Sequence, residues 1–445
     1  MEKSIDLISF PKKSFWKLSI PIIAFSLFDA VYGLIDMYWI SRMSHEAYFA
    51  IGIAIPIFTL ICSFGSSIGQ GTNSIMSRYI GYGDLEKSYN SLWHGIILCF
   101  IIWILILIST LFLSDIISLI HSSKSNGLII VYLTPLCLAS LVFILSNLFS
   151  ETFQAEGNSR IPTALIITTN ILNIILDPIF IFNFQLGIYG AAFATIISSS
   201  VTVIVLLGLY LINYTKVPLK IKYFEFNMHI ISEITKVAIP NFLDSAIWCI
   251  LAIFVNRILM SDLGPFGIIL YSASGKIKDF LMAPVKGMGK GLMSVSGHLF
   301  GARKIDKLVE MYNYTLKYSL IVCIILAISF LIFNKQAYGV FSVTHPGTDI
   351  IAIFAIPIIL SMPFSMISSK MLDGFGKSYY SLLFTVLKIG FEIVVITVLN
   401  NILILGSSVL VGLTITEIVF AAVYYVLLRI MFKRFKQHAD DLVVV

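Results

Sequence analysis

Charged residues are scarce in this sequence: they make up only 12% of its 445 residues, about half of the ~25% that is usual in soluble domains. Apolar residues make up 58% instead, and many fall in long runs such as WHGIILCFIIWILILISTLFL and IIAIFAIPIILSMPFSMI. A run of about 20 apolar residues is long enough to cross a bilayer as an α-helix. The composition therefore excludes an ordinary soluble protein and predicts an all-α integral membrane protein.

Motifs for catalysis and for metal binding are missing as well. No P-loop, nucleophile motif or His/Cys/Asp cluster occurs in the sequence, so ATP is not an evident energy source. The five cysteines lie in apolar runs without metal-ligand spacing, and we interpret them as small hydrophobic side chains. These absences predict that the protein is not an enzyme, has no cofactor and does not bind nucleic acid.

Twelve apolar segments each predict one membrane-spanning helix. They lie near residues 18–40, 49–72, 92–113, 128–150, 161–183, 188–212, 237–260, 267–297, 315–333, 350–370, 380–400 and 406–428. The longest polar connection follows the sixth segment and divides the chain into two halves of six helices. We therefore predict an N-terminal lobe over 1–213, a cytoplasmic linker over 214–236 and a C-terminal lobe with a basic tail over 237–445.

Lysine and arginine are distributed unevenly among the predicted loops. The N-terminus, the even-numbered loops and the C-terminal tail contain most of them, for example Lys12, Lys220, Arg303 and Arg434. Loops rich in these residues stay on the cytoplasmic side of a membrane. Both termini are therefore expected in the cytoplasm, and the protein is expected to be a multi-pass protein of the cell membrane.

An internal repeat relates the two halves. Residues 69–87 (GQGTNSIMSRYIGYGDLEK) match residues 289–307 (GKGLMSVSGHLFGARKIDK) at five of nineteen positions, with a constant offset of 220. Residues identical to Pro21, Gly157 and Ser159 occur in the second half at an offset of 219. Chance alignment of glycines is the alternative, but the nearly equal offsets disfavour it. Because each half has an even number of spans, both insert in the same direction, related by an axis along the membrane normal.

Charges inside the predicted spans differ between the halves. An acid at the centre of a span costs about 2.5–3.5 kcal/mol on insertion scales, so it is kept where it has a partner or a task. The first half contains three such acids, Asp29, Asp36 and Asp177, and no lysine or arginine within the same spans. This imbalance predicts that a proton, a metal cation or a cationic substrate supplies the missing positive charge.

The stretch NILNIILDP (170–178) contains the main candidate site. Asn173 and Asp177 are one helical turn apart and share a face. Pro178 cannot donate a backbone hydrogen bond and disfavours helix at Asp177, so we expect freed carbonyl oxygens to join the two side chains around a hard cation. A desolvated carboxylate can also carry a proton. The alternative is a structural Asp that caps a helix end or bonds to a neighbouring span.

The second half contains five lysines and four acids within its spans. They are Lys276, Lys278, Lys286, Lys290, Lys388, Asp244, Asp279, Glu392 and Glu417. At about 100° per residue, Lys276, Asp279, Lys286 and Lys290 share one face of the eighth span and Lys278 lies nearly opposite. Lys388 and Glu392 are spaced as an i,i+4 pair. These residues, with Glu417, either line the transport path or neutralise one another inside the lobe.

Several segments together resemble the MATE (multidrug and toxic compound extrusion) transporters of the multidrug/oligosaccharidyl-lipid/polysaccharide flippase superfamily. PIIAFSLFDAVYGLIDMYWISRM is similar to the family's first span, and GTNSIMSRYIGYGDLEKS is similar to the exit of its second. The most specific match is QAEGNSRIPTALIITTNILNIILDPIFIF followed by GIYGAAFATIIS. The resemblance covers nearly the whole chain and includes the repeat.

The resemblance implies a cation site in the N-terminal lobe, occupied by Na+ or H+ as the coupling ion. The implied ligands are Asp36, Asn173, Asp177, Thr195 and the backbone of Ala191. Tyr132 on the fourth span is a further residue carried over by the resemblance, and Asp29 is another candidate in the same lobe. The lysine-rich eighth span departs from a typical drug exporter and leaves room for anionic or zwitterionic cargo.

The family exports amphipathic, often cationic compounds, driven by inward flow of sodium ions or protons. We therefore expect a monomeric antiporter in the lipid bilayer that exchanges a small organic substrate for Na+ or H+ by alternating access. A flippase or exporter of an anionic or lipid-linked precursor is the alternative that the lysines favour. A channel or a non-transporting membrane scaffold is a third class, which the duplicated lobes and the asymmetric buried charge disfavour.

Overall fold

The computed structural model describes residues 8–41, 43, 45–120, 126–215, 217, 224–263, 265–339, 348–402 and 407–437. These residues form fourteen α-helices and one π-helical turn, without a β-strand. The α-helices are α1 (Pro11–Ser41), α2 (His45–Tyr82), α3 (Leu85–Thr110), α4 (Leu113–Ile120), α5 (Asn126–Leu138), α6 (Ser140–Ala155), α7 (Arg160–Pro178), α8 (Ile188–Leu211), α9 (Met228–Leu263), α10 (Pro265–Gly301), α11 (Ile305–Gly339), α12 (Thr348–Gly374), α13 (Ser378–Asn400) and α14 (Ser407–Gln437). The π-helical turn, Ile179–Asn183, continues α7.

These helices account for the twelve predicted spans. Within the described residues, eight helical segments are long and apolar enough to cross a membrane, and the bent pair α5–α6 makes a ninth. Helices α2, α9 and α10 contain 38, 36 and 37 residues. At 1.5 Å per residue each of these three is also long enough to cross the bilayer. The short helix α4 contains 8 residues and precedes the fourth span.

Two of the predicted spans have an irregular shape. The fourth span bends by 52° between α5 and α6, just after Pro135, which lacks the N–H of a regular helix. The fifth span was expected to break at Asp177, and this expectation is wrong. Pro178 is helical, with φ −62° and ψ −30°, and the helix widens only afterwards into the π-helical turn. A π-helical turn accommodates the lost hydrogen bond without unwinding the chain.

Buried apolar side chains form one large core in each lobe. The first core is built mainly from α2, α3, α5, α6 and α8, and the second mainly from α10, α11, α12 and α14. The lobes also exchange helix ends: Phe15 and Leu18 of α1 lie in the second core, whereas Ile230 and Ile234 of α9 lie in the first. Since α9 begins at Met228, the last part of the predicted linker is helical.

Glycines of the repeat lie where α2 and α10 touch. A Cβ atom on Gly81 would overlap the carbonyl oxygen of His298, and a Cβ atom on Gly301 would overlap that of Arg78. The offset of 220 that relates Gly81 to Gly301 also relates Arg78 to His298, so the two contacts are equivalent. Glycine alone permits this approach, which explains its presence in both halves. We call this pair of contacts the glycine contact.

Candidate functional site

Polar groups from three helices meet in the N-terminal lobe. Helix α7 supplies Asn173 and Asp177, which are 2% and 1% exposed. Asn173 Oδ1 accepts a hydrogen bond of 2.6 Å from the hydroxyl of Tyr32 on α1. Asn173 Nδ2 donates to Asp177 Oδ1 over 3.3 Å and to Thr195 Oγ1 of α8 over 3.5 Å. The Thr195 hydroxyl donates to the carbonyl oxygen of Ala191 over 3.0 Å. We call these five residues the oxygen cluster.

Close packing of α7 against α1 and α8 brings the oxygen cluster together. Gly190 near the start of α8 permits this, because a Cβ atom there would come within 2.7 Å of the Phe180 backbone. The cluster offers carboxylate, amide, hydroxyl and carbonyl oxygens, which are the donors that hard cations prefer. In the part of the chain that the structure describes, no three His, Cys, Asp or Glu side chains form a group that could hold a metal. The oxygen donors of the cluster fit a hard cation such as Na+, and its carboxylate can also bind a proton.

The other candidates of the N-terminal lobe lie at different places. Asp36 is on α1, one turn after Tyr32, but its side chain lies outside the described part of the structure. Asp29 is exposed and accepts a hydrogen bond of 3.4 Å from Asn170. Tyr132 is buried in the first core, with 6% exposure. Sequence reasoning missed Tyr32, although its spacing of four residues from Asp36 on one helix face was a usable signal.

A cavity of about 610 Å³ lies in the C-terminal lobe, within the size range typical of sites for drug-sized molecules. Its walls come from α9, α10, α12, α13 and α14, and Gln70 of α2 adds a residue from the other lobe. The charged residues that line it are Lys278, Lys286, Lys290, Lys370, Lys388, Asp244, Asp279 and Asp373. Trp248 adds an aromatic surface. The lining therefore combines both signs of charge with apolar area.

Most lysines of this cavity are paired with acids. Lys286 Nζ lies 2.9 Å from Asp279 Oδ1, and both side chains are about half exposed. Lys370 Nζ lies 2.8 Å from Asp373 Oδ2, which is buried. Lys278 contacts an aromatic ring instead: its ammonium lies 5.7 Å from the centre of Trp248. Since most of the positive charge is balanced locally, the cavity is polar and mixed rather than strongly cationic.

Two lysines of the C-terminal lobe reach across to the N-terminal lobe. Lys290 Nζ lies 2.7 Å from Glu151 Oε1 on α6, and Asn73 Nδ2 of α2 donates to the same carboxylate over 3.1 Å. Lys370 Nζ donates to Gln70 Oε1 over 2.5 Å. We call these five residues the bridging layer. Along α2 and α10 the bridging layer precedes the glycine contact, so the lobes are joined at two successive levels.

The predicted arrangement of the eighth span needs two corrections. Lys278, which was expected nearly opposite the charged face, lines the same cavity as Lys286. The two positions differ by only about 80° around a helix, and Pro284 interrupts α10 between them. Lys276, which was expected on the charged face, is exposed and is not among the described residues that line the cavity.

The ion pair predicted on the eleventh span, between Lys388 and Glu392, is also wrong. Lys388 Nζ lies 2.5 Å from Glu417 Oε1 of α14, a neighbouring helix. Glu392, one turn further along α13, is buried and is not the residue with which Lys388 forms its ion pair. Sequence spacing identifies neighbours on one helix but not the carboxylate that a packed helix presents.

Sequence reasoning missed three charged residues of this region: Glu151, Lys370 and Asp373. They lie at the C-terminal ends of the fourth and tenth predicted spans, where charged residues are common and give no signal. The helices continue past those limits, to Ala155 in α6 and to Gly374 in α12. Glu151 and Asp373 are consequently buried, with 3% and 1% exposure.

Two six-helix lobes related by a parallel repeat, with an oxygen-rich site in one lobe and a cavity in the other, define a two-lobe membrane transporter. The MatE family model matches residues 21–179 and 238–398, once in each lobe. The chain therefore belongs to the MatE family. Its members are transporters, which confirms that the protein is not an enzyme.

Curated relatives and solved structures agree with this assignment. Multidrug export protein MepA of Staphylococcus aureus is 28% identical over 299 residues, which are 66% of this chain and 65% of that protein. MepA of Staphylococcus saprophyticus is 26% identical over 353 residues, 76% of each chain. The chain thus spans about two thirds to three quarters of the length of these relatives.

Two solved structures match almost the whole fold. One is the outward-facing conformation of a multidrug resistance MATE family transporter, with a TM-score of 0.93 and 25% identity over 98% of this chain and 100% of that one. The other is a transporter from Pyrococcus furiosus described by the reverse polarity of its binding pocket, with a TM-score of 0.92, 25% identity and the same coverage. These matches confirm the predicted all-α, twelve-span, two-lobe fold.

Proposed function

We propose that the protein is a monomeric efflux transporter of the cell membrane, which exports amphipathic organic compounds in exchange for Na+ or H+ moving inward. The observation that carries the proposal is the oxygen cluster around the buried Asp177. Both MepA relatives are named as multidrug export proteins, which supports an organic cargo. The 610 Å³ cavity offers space for a molecule of that size.

The oxygen cluster is suited to an ion that binds and leaves. Asp177 contributes the negative charge, and Asn173, Thr195 and the Ala191 carbonyl contribute neutral oxygens. Asp36 follows Tyr32 by one turn on the helix that packs against this cluster, and we include it as a ligand. A site with few fixed charges and neutral oxygens binds a monovalent cation reversibly, and the same carboxylate can accept a proton instead.

The position of the contacts between the lobes supports alternating access. The glycine contact lies at the ends of α2 and α10, on the side that the lysine and arginine distribution assigns to the cytoplasm. We interpret this arrangement as the state that is closed toward the cytoplasm. Ion and cargo can drive the exchange with an opposite state only if they bind the two states with different affinity. The glycine contact and the bridging layer are the contacts that must separate.

The direct test is transport by purified protein in proteoliposomes, with ethidium as a fluorescent cationic cargo. A Na+ gradient and a pH gradient are imposed separately, and the rate of dye movement is measured. We expect saturable, gradient-driven movement with one of the two ions. Movement that neither saturates nor depends on a gradient would identify a channel, and the absence of movement with both would refute cation-coupled export of this cargo class.

The cavity lysines favour a second candidate, export of an anionic or lipid-linked precursor. Five lysines and three acids line the cavity, and the Pyrococcus furiosus relative is described by a pocket of reverse polarity. Translocation of a fluorescent anionic lipid in liposomes tests this candidate, with Lys286→Gln and Lys290→Gln as the variants. Lipid translocation that is lost in both variants would favour it over drug export, whereas no lipid translocation by the wild-type protein would remove it.

The bridging layer makes a prediction about the equilibrium between states. In Lys290→Gln, Glu151 loses its cation while its side chain remains buried, with 4% exposure. We expect the closed cytoplasmic face to be weakened by about 1–3 kcal/mol. Spin labels at the exposed positions Tyr82 and Lys304, on a background without native cysteines, should report longer distances by double electron–electron resonance.

The matched control is the double variant Glu151→Gln/Lys290→Gln. It removes both charges, so no buried carboxylate is left without a partner, and the distance should return toward the wild-type value. If the single and the double variant give the same distance distribution, the ion pair does not hold the lobes together.

A further inference from the structure

A second buried carboxylate group lies in the C-terminal lobe, outside the oxygen cluster. Glu392 of α13 and Glu417 of α14 are 1% and 7% exposed. Lys388, one turn before Glu392, donates to Glu417 Oε1 over 2.5 Å. Glu392 Oε1 and Glu417 Oε2 have no hydrogen-bond partner among the residues that the structure describes. Lys388 is therefore bonded to Glu417. The more deeply buried Glu392 has no directly bonded cation among the described residues.

Other charged and titratable groups face this region from the surrounding helices. They are Lys278 and Tyr271 of α10, Asp244 of α9, and Lys370 and Asp373 of α12. Lys278 is only half-buried at the cavity wall, with its ammonium over the Trp248 ring. Asp244 accepts a hydrogen bond of 2.6 Å from Thr385, and Lys370 of α12 forms its ion pair with Asp373 of the same helix. Among the described residues, none of these groups forms a direct ion pair with Glu392.

We propose that Glu392, together with Lys388 and Glu417, is a proton-binding site of the C-terminal lobe. A buried carboxylate without a bonded cation is costly when ionised, and a proton removes that cost. With the proton on Glu392, the ammonium of Lys388 and the carboxylate of Glu417 form a neutral ion pair beside a neutral acid. The three side chains then carry no net charge, and the deeply buried Glu392 is neutral.

The proton-binding site adjoins the cavity through one residue. Lys388 lines the cavity, and its ammonium lies 5.2 Å from the centre of the Trp248 ring. A cargo group that accepts a hydrogen bond from Lys388 would compete with the two carboxylates for this lysine, so cargo binding in the cavity and protonation of the site would influence each other. The site would add a titratable group in the C-terminal lobe to the ion site proposed in the N-terminal lobe.

The test measures protonation directly and needs no transport. Infrared difference spectra of the protein in lipid membranes are recorded against pH, and the C=O band of protonated carboxylic acids is followed. The wild-type protein should show a titrating band that is absent in Glu392→Gln. In Glu417→Gln the freed Lys388 can turn to Glu392, so the band should titrate at least about one pH unit lower. Asp279→Asn, at the exposed pair of the same cavity, should leave the band unchanged.

Two results would overturn the proposal. One is a titrating band that persists unchanged in Glu392→Gln, and the other is an unshifted midpoint in Glu417→Gln. The second variant keeps the test decisive if the first does not fold. Because the spectra do not depend on cargo or gradients, failure here leaves the proposed export function intact, and failure of export leaves this site intact.

Discussion

Asp177→Asn should strongly weaken ion-driven export while the protein still folds and reaches the membrane. The substitution keeps the shape of the side chain but removes the one formal charge among the described side chains of the oxygen cluster. Removing an ion ligand is expected to lower the affinity for the coupling ion at least as much as losing a supporting contact does, by about 10- to 100-fold. Dye transport in proteoliposomes, measured against the concentration of Na+ or H+, checks this expectation.

Asp29→Asn is the matched control for this prediction. It makes the same chemical change in the same lobe, but Asp29 is exposed and has one hydrogen bond of 3.4 Å, to Asn170. We expect an ion dependence within about threefold of wild type, because an exposed carboxylate with one weak contact adds little. Equal losses in both variants would mean that general electrostatics of the lobe, and not the oxygen cluster, governs coupling.

The fold could be predicted from the sequence because the bilayer imposes simple rules. Apolar length gives the spans, lysine and arginine give the orientation, and the offset between residues 69–87 and 289–307 gives the two lobes. The bend after Pro135 and the π-helical turn after Pro178 were beyond these rules. A proline in a helix shows where the backbone hydrogen bonding is interrupted, but whether the helix then bends or widens is decided by packing.

The oxygen cluster could be predicted in part, since Asn173 and Asp177 are neighbours on one helix. Their contacts to Tyr32 and Thr195 lie between helices, and periodicity within one helix does not reveal such contacts. The same limit explains the error at Lys388, whose partner Glu417 lies on another helix.

Gly301→Ala should shift the protein away from the state that is closed toward the cytoplasm. The added methyl group meets the carbonyl oxygen of Arg78, which belongs to a helix backbone and cannot rotate aside as a side chain would. Overpacking of this kind costs about 1–3 kcal/mol, which corresponds to about a 5- to 150-fold change in the ratio of the two states. The distance between spin labels at Tyr82 and Lys304 should lengthen accordingly.

Gly275→Ala is the control in the same helix, because a Cβ atom there meets no heavy atom within 4 Å. It should leave the distance unchanged, since alanine is at least as favourable as glycine inside a helix. Gly81→Ala gives a second, independent check. The repeat makes its contact with His298 equivalent to that of Gly301 with Arg78, so the two variants should shift the equilibrium by similar amounts. A shift in only one variant would show that the two equivalent contacts no longer contribute equally to the closed state.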